Sequence, residues 1–149
     1  MDYKKKNKNF FRVAAILVTI NLFSTTNGSS RYDDSQILKL LDNHFNTNSE
    51  IKKLGANIYT EKTERTFQLE ISSAETEVNK NLLRAFIVLF KLSAYAQNPI
   101  QKCKLIIHVE KYDIPIIAIC DYNCSKKHFS SYKLKEKEWR DDCLIIKTI

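Results

Sequence analysis

The chain has 149 residues, 28% of them charged and 44% hydrophobic, with 24 Lys and Arg against 17 Asp and Glu and only two glycines. That length fits one domain and hardly two. A phosphate-cradling loop needs several glycines so that backbone amides can approach the phosphate, so nucleotide-dependent enzymes of the Walker or Rossmann type are excluded.

Residues 1–28 have the layout of a secretory signal peptide. Lys4, Lys5, Lys6, Lys8 and Arg12 make a basic start, Val13 to Phe23 is uncharged and apolar, and small or polar residues follow. A cut after Gly28 or after Thr26 leaves small residues at the required positions, and a cut after Gly28 leaves residues 29–149 as a single domain. The alternative is a retained anchor over residues 13–26, the one case in which a membrane is a partner. The apolar run from Val13 to Phe23 spans roughly 16 Å as a helix, about half of a bilayer core. The first cysteine is Cys103, which excludes a lipid-modified N-terminal cysteine.

The net charge of +7 overstates the working domain. Residues 1–28 hold five basic side chains and one acid, so the remainder carries 19 Lys and Arg against 16 Asp and Glu. Its densest basic run, Lys126 to Arg140, is interleaved with Glu136 and Glu138 and followed by Asp141 and Asp142. It reads as a solvated mixed-charge surface, so nucleic acid is not expected as a partner.

Asp33 with Gln36 forms a capping box that opens a helix, and Ile37, Leu38, Leu40, Leu41 and Phe45 give it an apolar stripe. Leu54–Thr60 and Arg65–Ser72 read as strands. In the second, Phe67, Leu69 and Ile71 alternate with Gln68 and Glu70. The two strands read as a hairpin, although the connection Glu61–Glu64 is charged, lacks glycine and is poor tight-turn sequence. Ser72 with Glu75 reads as a second capping box. It opens a long helix through Val78, Leu82, Phe86 and Leu89 that ends at Asn98 and Pro99. Lys104–Glu110 and Pro115–Tyr122 form the clearest strand pair, turning at Tyr112–Asp113. Asn123–Tyr132 is a polar stretch, Leu134–Arg140 a short helix and Cys143–Thr148 a last strand. The order α-β-β-α-β-β-α-β implies an α+β domain with helices packed on a largely antiparallel sheet.

Cys103, Cys120, Cys124 and Cys143 are an even set in a chain expected to be exported, which makes them disulfide candidates with three possible connectivities. A turn at Tyr112–Asp113 sets Cys103 opposite Tyr122 and makes Cys103 and Cys120 diagonal neighbours. Cys124 and Cys143 flank the short helix. Cys103–Cys120 with Cys124–Cys143 is therefore the favoured pairing. The competing reading is a zinc site from Cys120, Cys124, His128 and Cys143, at a spacing that is legal but nonspecific. No cofactor is expected.

His44 ends the first helix. His108 alternates with apolar neighbours on the less buried face of its strand. Asn27 and Asn123 each begin a glycosylation sequon. The expected function is a small secreted or periplasmic protein with a non-catalytic binding or structural role and an unidentified protein partner. Its rivals are a secreted effector, or a small extracytoplasmic enzyme using His108 or His128 with carboxylates such as Glu110 and Asp121. A cleft gathering those groups favours the enzyme, and an apolar patch or unpaired sheet edge favours binding.

Overall fold

The computed structural model describes residues 31–48, 50–129 and 135–148. The signal-peptide and anchor readings, and the sequon at Asn27, lie outside the described residues. The chain runs α1 (Asp34–Asn48), β1 (Lys52–Glu61), β2 (Glu64–Ser73), a 3-10 turn (Glu75–Glu77), α2 (Val78–Ser93), β3 (Lys102–Val109), β4 (Ile116–Asp121), α3 (Tyr122–Phe129), α4 (Glu136–Cys143) and β5 (Leu144–Thr148). The strands form one sheet in the order β1-β2-β3-β4-β5. Only β2 and β3 are parallel, because α2 crosses over between them, and the other neighbours are antiparallel. This is the α+β architecture expected from the pattern of elements.

The helix α1 begins as its sequence dictates. Gln36 N–H donates to Asp33 Oδ1 at 2.9 Å, and Asp33 N–H donates to Gln36 Oε1 at 3.0 Å. Ile37, Leu41 and Phe45 are buried at successive turns of its inner face. From α2, Leu82, Ala85, Phe86 and Leu89 meet Phe67, Leu69 and Ile71 of β2 and Leu105 and Ile107 of β3 in one core. Strand β3 alternates buried and half-buried residues along its whole length, so one sheet face lies under helices.

Several expectations are corrected. The Ser72–Glu75 capping box does not form, because pairing carries β2 on to Ser73, opposite Val109. Helix α2 starts at Val78 without a side-chain cap. It stops at Ser93, short of Asn98, where Tyr32 takes over the chain: Gln97 N–H donates to Tyr32 O and Tyr32 N–H to Tyr95 O, both at 2.8 Å. The expected β1–β2 hairpin does form, and its glycine-free connection is tight, with Glu61 opposite Glu64 and Lys62 in the left-handed region at φ 58°. The β3–β4 pairing is centred between Lys111 and Tyr112, one residue earlier than expected, so Cys103 faces Cys120 directly and not diagonally. The polar stretch after Asp121 contains the helix α3, with Asn123 exposed in its first turn.

The run Lys126–Arg140 is not wholly solvated either. Trp139 lies within it and is the largest fully buried side chain. Its ring meets Phe86 edge-on, with centroids 5.4 Å apart, and Phe129 at 5.1 Å. Its Nε1–H donates to Ser125 Oγ at 3.1 Å, which satisfies the polar end of the indole. Among the described residues no helix is long and apolar enough to cross a membrane.

Candidate functional site

The second face of the sheet can be read row by row from the strand register. Tyr59, Thr66, Lys102 and Asp121 form one row. Asn57, Gln68, Lys104, Ile119 and Ile145 form the next, followed by Gly55, Glu70, Ile106, Ile117 and Lys147. The β1–β2 half is polar and internally bonded. Tyr59 Oη–H donates to Gln68 Oε1 at 3.3 Å, and Glu70 pairs with His108 Nε2. The β3–β5 half presents four isoleucines, Ile106, Ile117, Ile119 and Ile145, with lysines at its margins.

The apolar half runs out to an open edge. Ile145 and Ile146 of β5 are 58% and 53% exposed, one on each face of the strand. No described strand pairs with the outer side of β5. Tyr122 N–H donates to Gln101 O at 2.8 Å, which fixes the phase of the β3–β4 ladder. Carried across β4, that phase turns the backbone groups of Ile145 and Lys147 towards β4 and those of Leu144, Ile146 and Thr148 outward. Among the described residues no strand takes up these outward donors and acceptors, which are spaced for another extended chain.

The cysteines and His128 collect where β4, α3, α4 and β5 meet. Cys124 lies in the first turn of α3, where its N–H donates to Asp121 Oδ1 at 2.8 Å. Cys143 is the last residue of α4. The two are bonded as a disulfide, with Cα atoms 5.7 Å apart. Cys103 and Cys120 are buried free thiols. Their mutual hydrogen bond, together with burial, holds the Cys103 thiol well above its ordinary value. Ser93 Oγ lies 3.7 Å from Cys103 Sγ. His128 is buried on α3 one turn after Cys124, with its Nε2 3.5 Å from Asp142 Oδ2.

The structure does not bring His108 to Glu110 or Asp121, while each of His108 and His128 has another carboxylate beside it. His108 pairs with Glu70, a residue the sequence reading passed over. Glu110 is exposed beyond the end of β3, and Asp121 caps α3. His44 is exposed, its ring edge-on to Phe45. Cys120 is occupied with Cys103, so of the four zinc candidates only Cys124, His128 and Cys143 come together. A groove of about 660 Å³ opens between α1 and α2, floored by Phe45, Ile51 and Val88, with Arg84 and Glu50 paired across its rim at 3.3 Å. Comparison with protein families, curated proteins and solved structures finds no match.

Proposed function

We propose that the protein is a small exported, non-catalytic binding module that takes an extended polypeptide strand along β5. The observation that carries this reading is the outer side of β5, unpaired among the described residues, with isoleucine exposed on both faces of the strand. An added strand bonds its backbone to the outward groups of Leu144, Ile146 and Thr148. Its alternate side chains extend the surface of Ile117, Ile119 and Ile145. Strand addition of this kind derives affinity from the backbone and specificity from alternate side chains, which suits a partner segment with apolar residues at every second position.

The ladder phase supplies a selective test. Ile146→Pro removes an outward N–H and no bond to β4, and proline is tolerated on the solvent side of an edge strand. Peptides selected from a display library against the full-length protein are expected to be extended and alternating. The Ile146→Pro protein, still folded by circular dichroism, is expected to lose them. Peptides that bind Ile146→Pro as tightly as the parent, or that dock in the α1–α2 groove, overturn the reading.

A further inference from the structure

Strand capture at β5 makes no use of the cluster at the ends of α3 and α4. Cys124 Sγ, Cys143 Sγ and a ring nitrogen of His128 lie within 4.8 Å of one another. Three elements hold them there. Asp121 caps the turn that carries Cys124, one helical turn sets His128 on the same face of α3, and Trp139 anchors α4 one turn before Cys143. A second observation points to a ligand. His128 Nδ1 is buried and has no hydrogen-bond partner among the described residues, while Nε2 already faces Asp142. Buried ring nitrogens are normally paired, and one left without a partner invites explanation by an absent ion or water.

We propose that Cys124, Cys143 and His128 form a zinc site in the reduced protein, so that disulfide and metal are alternative occupants of the same three side chains. The donor set is the one zinc selects: two thiolates and an imidazole. Asp142 Oδ2, 3.5 Å from Nε2, favours the tautomer that carries its proton there, which leaves the Nδ1 lone pair for the ion. Cα atoms 5.7 Å apart let both cysteine side chains reach one centre. With three protein ligands the fourth position belongs to water, since Cys120 is held by Cys103.

The exchange between the two states balances. An external dithiol gives up two electrons and two protons to the Cys124–Cys143 bond, leaving two thiols and its own disulfide. Zinc then displaces both thiol protons to form two Zn–S bonds, so loading releases two protons and tightens as pH rises.

The test uses the full-length protein carrying Cys103→Ser and Cys120→Ser, reduced with a phosphine under anaerobic conditions and titrated with Co²⁺. The expected result is one equivalent bound, with the visible bands of tetrahedral Co²⁺ and thiolate charge transfer in the near ultraviolet, bleached by zinc. The unreduced protein gives neither signal, and His128→Ala weakens binding at least about tenfold. A reduced protein without tetrahedral bands, or binding that His128→Ala leaves unchanged, overturns the proposal. If His128→Ala fails to fold, alkylation of the reduced protein decides. Zinc must protect Cys124 and Cys143 together, and their equal labelling with and without zinc counts against the site. None of these readouts depends on strand binding at β5.

Discussion

Strand β1 closes one side of the sheet with ten residues, a register break between Lys53 and Gly55, and charges at both ends from Lys52, Lys53 and Glu61. Strand β5 closes the other side with five residues, LIIKT, and a single charge. Bulges and charges are the devices by which natural sheets keep edges from pairing with other chains. One edge carries them and the other has only its shortness and Lys147. The interior follows the same division. The open face is polar and self-bonded over β1–β2 and isoleucine-rich over β3–β5. Only the β5 end is reinforced, by a disulfide and a buried tryptophan. A rigid support under an unprotected edge is what a strand-binding surface requires, because docking then costs little ordering.

The contrast can be broken most forcefully at Trp139. Trp139→Ala removes the aromatic contacts to Phe86 and Phe129 and leaves a cavity between α2, α3 and α4, so it is expected to cost about 3–5 kcal/mol in denaturant unfolding. Tyr59→Ala, on the half-exposed β1 side, is expected to cost less than about 1 kcal/mol. Losses of equal size at the two positions would remove the asymmetry of support. Next comes the disulfide. Cys124→Ser with Cys143→Ser opens a loop of 19 residues in sequence separation. It is expected to lower stability by about 3 kcal/mol, chiefly by freeing the unfolded chain.

A smaller effect sharpens the comparison at the β1–β2 hairpin. Lys62 holds a left-handed backbone that costs a non-glycine residue roughly 1 kcal/mol, and glycine returns part of that gain as unfolded-state entropy. Lys62→Gly is therefore expected to stabilise by about 0.5 kcal/mol, visible as a small rise in melting temperature. The smallest stability change is expected at the β5 edge. Ile145→Lys gives this edge a charge like those of β1 at a cost within about 0.5 kcal/mol, while abolishing capture of an apolar strand.

The sequence made most of this fold legible where local signals agreed with tertiary pairing. The Asp33–Gln36 box, the stripe through Ile37, Leu41 and Phe45, and the alternation in β2 and β3 each specify an element that packing then uses. Failures occurred where a local signal met a stronger non-local one. Ser72 and Glu75 spell a cap, but Ser72 pairs with Lys52 and His108 on either side and stays in the sheet. Lys62 adopts an unfavourable backbone because the hairpin register on either side leaves two residues to turn. Trp139 was hidden by charged neighbours, although one tryptophan four residues before a cysteine on a helix was a usable signal of an inward face. The isoleucines of the open face were visible as β-branched runs. Their exposure was not, since it depends on the described helices packing on the other face of the sheet. The Cys124–His128–Cys143 cluster was within reach of spacing arguments. The pairing of Cys120 with Cys103 was also within reach, and the one-residue difference in the β3–β4 register only turns diagonal neighbours into facing ones, which stay free thiols.

Amide hydrogen exchange along β5 tests the central claim most directly. In the free protein, Ile145 and Lys147 are expected to be protected by β4, and Ile146 to exchange rapidly from the outer edge. With a selected strand bound, Ile146 is expected to become as protected as its neighbours while the α1–α2 groove is unchanged. An Ile146 amide that exchanges equally fast with and without the bound partner would contradict strand addition at β5.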